Sequence, residues 1–253
     1  MSDSKGRDEQ ADSAKAATKL KQAMTYRTLG KYESALSAID EALSIQPDST
    51  DALLMKAIIL SQQGLCSESI KCYDKLLAHN PASTIFLRLK AATFEIQGSF
   101  AKAEECFAKA VELEPNNVEL RLNLANSYKK QKKFQDALKC YQDVLEHDDS
   151  NPQIHYLVGT MFGNMNDYGK ALSSFDEALR LKPDFSDAKL AKGIILTKLG
   201  RKDEAKQCTD ELLETKKESA PQKDAEFVSL NDSCRQDYEA AKKRFRQTYS
   251  PQQ

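Results

Sequence analysis

The chain of 253 residues has no long apolar run, although hydrophobic residues make up 40% of it. A helix that spans a membrane needs roughly 20 consecutive apolar residues. The first segment, residues 1–14, is polar and of mixed charge, without the basic start and apolar block of a secretory signal. These absences predict a soluble protein of the cytoplasm, with the nucleus as the alternative compartment.

The sequence also lacks an excess of charge of either sign, because 37 Lys and Arg residues stand against 38 Asp and Glu residues. No overall field draws such a chain to nucleic acid or to an anionic membrane, and neither is predicted as a partner. A short basic cluster comprises Lys242, Lys243, Arg244 and Arg246. It is typical of the last turns of a helix, whose dipole favours cations, and a nuclear address is the alternative.

Motifs of catalytic chemistry are missing as well. The sequence contains no phosphate loop of the form GxxxxGKS/T, no GxSxG nucleophile turn and no HExxH metal pair. Its three histidines are His79, His147 and His155, at spacings that suggest no metal site or catalytic group. We therefore predict no enzyme, no catalytic residues, no metal-binding residues and no cofactor.

A period of 34 residues is what the sequence has instead. Glycine recurs in one phase of this period and proline in another: Gly30, Gly64, Gly98 and Gly200, then Pro47, Pro81, Pro115 and Pro183. Such a period is typical of a solenoid, whose units bury their apolar faces only by stacking on neighbours. Counted from residue 16, the repeats are 16–49, 50–83, 84–117, 118–151, 152–185 and 186–219.

Small and large residues occupy fixed positions within each repeat. The eighth position is always small: Ala23, Ala57, Ala91, Ala125, Gly159 and Gly193. The eleventh position is large: Tyr26, Leu60, Phe94, Tyr128, Phe162 and Leu196. In the second half of the repeat, positions 20, 24 and 27 form another apolar stripe at helical spacing. The pattern predicts two antiparallel helices per repeat and an all-α fold.

Glycine at position 15 predicts the end of the first helix, because glycine adopts a left-handed conformation without strain. Asn166 replaces it in the fifth repeat as the next best tolerated residue, and Lys132 in the fourth repeat departs from the pattern.

Four cysteines share one repeat position: Cys72, Cys106, Cys140 and Cys208. Stacked helices lie about 8 to 10 Å apart, whereas a disulfide needs Cα atoms within about 7 Å of each other. We predict that these thiols are small apolar filler of the core. A redox role stays open for Cys66 and Cys234.

The combination of a small residue at position 8, an aromatic at 11, Gly at 15, an aromatic at 17, Ala at 20 and Pro at 32 resembles the tetratricopeptide repeat family over residues 16–219. The resemblance implies an α-solenoid of about six helix-turn-helix repeats after a polar N-terminal tail, residues 1–15. Apolar residues at spacings of three and four also predict an amphipathic helix over 222–249. This helix would cap the last repeat, and the alternative is a dimerisation or docking element.

In this family the first helices line a concave groove that holds an extended peptide or a partner helix. The side chains at positions 5, 6, 9, 12 and 13 of the first helices are called the groove face below. The resemblance places there Leu54, Met55, Ile58, Arg88, Leu89, Ile96, Leu122, Asn123, Asn126, Lys129, Lys130, Tyr156, Leu157, Asn164, Leu190 and Ile194.

Asn123 and Asn126 stand out on the groove face, since the packing pattern gives no reason for amides there. One hypothesis is that they bond to the backbone of a ligand, and the alternative is a solvated pair. A family subtype binds chaperone tails through a two-carboxylate clamp of Lys and Asn residues. No window of three repeats in this sequence matches that clamp.

These features favour a non-catalytic protein-protein interaction module, an adaptor, scaffold or co-chaperone-like protein, that binds a peptide or helix of a partner in its groove. The identity of that partner cannot be predicted from the sequence. The alternative function is a self-assembling structural subunit, a homo-oligomer formed through the C-terminal helix or the groove.

Overall fold

A computed structural model describes the backbone of residues 2–208 and 210, and the side chains from residue 11 onward in that range. This part of the chain contains helices and no strand. Two compact units divide it at residue 174. The first unit contains α1 (Ser2–Thr28), α2 (Tyr32–Ile45), α3 (Thr50–Gln62), α4 (Cys66–His79), α5 (Thr84–Ile96), α6 (Phe100–Leu113), α7 (Val118–Lys130), α8 (Phe134–Leu145) and α9 (Pro152–Asn164). The boundary falls within α10 (Tyr168–Leu181), and the second unit contains α11 (Ser186–Lys198) and further helical residues, 202–208.

Within the first unit each helix from α1 to α8 packs against the next one along the chain. The predicted all-α solenoid of helix pairs is therefore confirmed. Helix α1 begins at Ser2, so the segment 2–15 of the predicted polar tail is helical. The predicted helix over 222–249 lies outside the described residues.

The small residues at position 8 are buried because the two helices of a repeat meet there. In the first unit Ala23, Ala57, Ala91 and Ala125 have no exposed surface at all. The large residues of position 24, such as Tyr73 and Tyr141, fill the space between helices and are also buried. Alternation of small and large side chains thus sets the packing of the stack.

A left-handed residue ends each first helix at position 15. The four glycines of this position have φ between 70° and 78°, and Asn166 has φ 62°. Lys132 adopts the same conformation with φ 61°, although a lysine there is strained. The sequence departs from the pattern at Lys132, but the backbone does not.

Burial keeps the thiols of Cys72, Cys106 and Cys140 in their neutral form. Cys72 and Cys140 are buried, Cys106 and Cys208 are half-buried, and all four are free thiols. Desolvation raises the pKa of Cys72 and Cys106, and that of Cys140 to about 11. A thiol with a raised pKa is a poor nucleophile, which agrees with the predicted role as filler. Cys234 lies outside the described residues.

Ion pairs join successive repeats on a regular spacing. Asp40 lies 2.5 Å from Lys56, and Asp74 lies 2.6 Å from Lys90, each pair linking position 25 of one repeat to position 7 of the next. The second unit repeats the arrangement with Asp176 and Lys192, at 2.6 Å. The lysines are about three-quarters or more buried, whereas the aspartates are about half exposed.

Candidate functional site

The groove face of α3 carries aliphatic side chains that are half-buried. Met55 packs on a core cluster that includes Ile39, and Leu54 packs on the next cluster, which includes Tyr73. Ile58 is half-buried as well but joins none of the core clusters of the described residues. Ile58 is therefore the most available of the three predicted anchors on α3.

On α5 the groove-face residues differ in how much of their surface contacts the rest of the protein. Leu89 packs on the same cluster as Leu54. The Arg88 guanidinium lies 3.4 Å from the Glu119 carboxylate at the start of α7, an ion pair with both partners open to water. Ile96 ends the helix with 61% of its surface exposed. Arg88 is thus already paired within the chain, while Ile96 offers apolar surface.

Asn126 on α7 has a structural role that the sequence did not reveal. Its Oδ1 accepts a hydrogen bond of 3.1 Å from the hydroxyl of Tyr141, which is fully buried on α8. Burial raises the pKa of Tyr141 to about 12, so the hydroxyl stays protonated and donates. The expectation that packing gives no reason for an amide here is wrong for Asn126. A buried tyrosine hydroxyl needs an acceptor, and that requirement was the available signal.

Asn123 lies one turn earlier on the same face and has no such partner. Its side chain is half-buried, and none of its polar atoms is hydrogen-bonded within the described part of the chain. The neighbouring Leu122 packs instead on the large core cluster that contains Tyr141. The two predicted asparagines therefore differ, and only Asn123 keeps its whole amide for a ligand.

The two lysines at the end of α7 also differ. The Lys130 ammonium lies 2.9 Å from Glu95 Oε2 and 5.8 Å above the Phe100 ring. Lys129 is half-buried, yet its ammonium contacts no acidic or polar group in the described structure. Glu95 occupies the repeat position of Lys129 one repeat earlier, and its pairing with Lys130 could not be read from the repeat pattern. The Lys130 ammonium is therefore paired within the protein, whereas the Lys129 ammonium has no partner among the described residues.

Helix α9 continues the groove face with Tyr156 and Leu157, both half-buried, and with the exposed Asn164. Leu157 packs on the large core cluster. Gly163 occupies position 12, so α9 presents no side chain there. The predicted residues of α9 thus form one face of the helix but are unequally exposed.

The last two predicted residues, Leu190 and Ile194, belong to α11 in the second unit. They are 49% and 51% exposed and line an open pocket of about 320 Å³. The rest of its wall consists of Gly193, Thr197, Lys202, Ala205 and Lys206. The second unit therefore has an apolar depression of its own.

No group of three or more His, Cys, Asp or Glu side chains among the described residues is arranged to hold a metal ion. None of the described helices is long and apolar enough to cross a membrane.

A solenoid of paired helices with small residues at their contacts defines a class of helical repeat proteins. The family described as the Psidin N-terminal TPR repeats region matches residues 22–157. The Cilia and flagella-associated protein 70 middle TPR-like domain matches residues 120–242. The chain belongs to the tetratricopeptide repeat family.

Solved structures agree on the fold. One crystal structure of MamA protein superposes with a TM-score of 0.62 at 21% identity, covering 70% of this chain and 96% of its own. A second MamA structure gives 0.57 at 22% identity, with 64% and 94% covered. YrrB, described as a TPR protein with an unusual peptide-binding site, gives 0.56 at 19% identity, with 70% and 91% covered. No curated protein matches the chain in sequence.

Proposed function

We propose that this protein is a non-catalytic adaptor or scaffold that holds a peptide or helix of a partner protein along the groove face of α3, α5, α7 and α9. The observation that carries the proposal is the Asn123 amide, half-buried on that face without a hydrogen-bond partner in the described structure. Its polar atoms stay accessible to water, since Glu95 Oε1 is the one buried side-chain polar atom without a partner among the described residues, and the amide can exchange that water for the backbone donors and acceptors of a bound segment.

The aliphatic residues of α3 and α5 support the same proposal. Ile58 is half-buried outside the core clusters, and Ile96 is mostly exposed. Accessible apolar side chains on the groove face are surface from which a bound partner would exclude water, as in the core of a protein interface. YrrB, a protein of the same fold, is described by its peptide-binding site.

Site-specific photo-crosslinking tests this proposal. A photoreactive amino acid replaces Asn123 in one variant and Lys139, an exposed residue of α8, in the control. After irradiation in native lysate, mass spectrometry should find one recurrent partner at residue 123 and none at residue 139. Equal labelling at both positions, with an intact helical spectrum, would remove this face from consideration as the binding site.

The alternative function, self-assembly, requires a different contact. The open pocket at Leu190 and Ile194 supports two occupants, the predicted cap over 222–249 or another copy of the chain. Analytical ultracentrifugation of the full chain and of a truncation lacking residues 222–253 distinguishes an adaptor from a self-assembling subunit. A concentration-independent monomer in both cases favours the adaptor, and a dimer lost on truncation favours self-assembly.

A further inference from the structure

The first helices of the first unit contact their neighbours through two fixed sets of repeat positions. Positions 3, 6 and 10 pack on the preceding repeat, since Ala52, Met55 and Ile59 of α3 belong to the core cluster formed with the first repeat. Positions 5, 9 and 12 face the following repeat, where Thr93 on α5 donates a hydrogen bond of 3.3 Å to Ser61 Oγ on α3. In the second, third and fourth repeats every residue at positions 5, 9 and 12 is half-buried.

In the sixth repeat the second set of positions is exposed. Leu190 and Ile194 are 49% and 51% exposed, and Thr197 at position 12 is exposed as well. All three line the open pocket of the second unit, whose wall also contains Ala205. The face that receives a following helix in the earlier repeats is therefore open to solvent here, and two of its three residues are apolar.

A second copy of the chain does not offer a matching face at its first helix. Positions 3, 6 and 10 of α1 are Thr18, Lys21 and Thr25, which are polar and exposed. Both threonines donate hydrogen bonds to carbonyls of their own helix one turn earlier. Covering the apolar pocket with α1 of another copy would place the Lys21 ammonium against aliphatic side chains, which is unfavourable without an anionic partner. Head-to-tail stacking of copies therefore does not suit this face.

The sequence after the sixth repeat does match it. Phe227, Leu230 and Cys234 have the spacing of positions 3, 6 and 10 on one helix. Their order also follows that of α5, where Phe86 and Leu89 pack on the core of the second repeat and a smaller residue occupies position 10. All three residues of the segment lie within the matched TPR-like domain, residues 120–242.

The same register predicts that no further repeat follows. Positions 8 and 11 pack on the second helix of their own repeat, as Ala57 and Leu60 do with α4. In the register of Phe227 these two positions are Asp232 and Arg235, which are charged and offer no apolar contact to a second helix. A segment with one apolar face and charged residues at positions 8 and 11 suits the end of a stack.

We propose that the exposed face of the sixth repeat binds residues 222–249 of the same chain, with Phe227 and Leu230 on Leu190 and with Cys234 beside Thr197. The contact would close the pocket from within the chain and exclude a second copy from it. Leu190 and Ile194 then serve packing, and the groove face of α3, α5, α7 and α9 is left for the partner. This contact is separate from the proposed function, because it involves no ligand.

Disulfide trapping in the full chain tests the proposal. Thr197→Cys places a thiol at the repeat position of Ser61, whose Oγ lies 3.3 Å from that of Thr93, so native Cys234 should reach it. Mild oxidation should join residues 197 and 234 within one chain, detected as a monomer on a non-reducing gel and by mass spectrometry of tryptic peptides. Two controls should lack this link: Thr197→Cys combined with Cys234→Ser, and Asp203→Cys, which changes an exposed residue outside the pocket.

The outcomes distinguish the possible occupants of the pocket. A 197–234 disulfide that forms only between two chains would overturn the proposal in favour of a second copy. Absence of the link, while the introduced thiol still reacts with a maleimide, would overturn it in favour of another occupant or none. Crosslinking at residue 123 is measured separately, so failure of this contact leaves the proposed function standing.

A second measurement does not depend on cysteine chemistry. Phe227→Asp should uncover the pocket and raise the fluorescence of a dye that binds exposed apolar surface severalfold. The matched control Ser229→Asp introduces the same charge on the opposite side of the predicted helix and should leave the fluorescence unchanged. Equal fluorescence of the two variants would overturn the contact of Phe227.

Discussion

The hydrogen bond between Tyr141 and Asn126 allows a quantitative test of how α7 is built. Tyr141→Phe removes one buried hydroxyl without changing the ring, and it leaves Asn126 Oδ1 without its donor. A buried neutral hydrogen bond contributes about 1 kcal/mol net, so unfolding free energy should fall by about 1 kcal/mol. Asn126→Ala should cost at least as much, because the hydroxyl is then buried without an acceptor.

A double-mutant cycle isolates this bond from other effects of the two changes. If the hydroxyl and the amide interact as described, the combined variant should be about 1 kcal/mol more stable than the sum of the single effects predicts. Urea denaturation followed by circular dichroism measures each corner of the cycle. Additive effects, within about 0.3 kcal/mol, would refute the reasoning.

The matched control for this cycle is Asn123→Ala. This amide has no partner in the described structure, so its removal should change stability by less than about 0.5 kcal/mol. A loss as large as that of Asn126→Ala would mean that Asn123 also serves the fold. The pair of alanine variants thus distinguishes an amide kept for packing from one available to a ligand.

Three further changes probe the packing. Ala125→Phe, at a position with no exposed surface, should cost about 1 to 3 kcal/mol or more through overpacking, measured by urea denaturation; an unchanged midpoint would contradict the assigned contact. Lys132→Gly should stabilise the chain by about 1 kcal/mol by removing left-handed strain, and a lower melting temperature would argue against it. Burial of Cys140 raises its pKa from 9.0 to about 11, so its contribution to stability is complete below pH 9 and is lost as pH rises toward 11. Between pH 8 and pH 10 the wild type should lose about 1 kcal/mol more than Cys140→Ala, and equal losses would contradict a buried thiol.

The fold could be predicted from the sequence because the buried positions recur with the same period of 34 residues as the sequence pattern. Positions such as Ala57, Ala91 and Ala125 recur every 34 residues, and each lies at a helix contact. Repetition also explains Lys132, whose left-handed backbone follows from its place in the repeat rather than from its side chain. A pattern that is averaged over several repeats is robust to such an exception.

The groove face was less predictable, because its residues differ from one repeat to the next. Asn123 and Asn126 look alike in sequence, and only the distance to Tyr141 separates them. Lys129 and Lys130 are neighbours, yet the direction of each side chain decides which one reaches Glu95. Such contacts join different helices and depend on side-chain rotamers, which the repeat pattern of the sequence does not encode.

The spaced ion pairs have a consequence for how the protein responds to its solvent. At the junction of the fourth and fifth repeats, Val158 is buried at the repeat position that Lys56 and Lys90 occupy at earlier junctions. Salt weakens charge pairing but strengthens or spares apolar contact. A high salt concentration should therefore weaken the contacts of Lys56 and Lys90 while the apolar contact of Val158 is retained, so that successive junctions of one chain respond differently to salt.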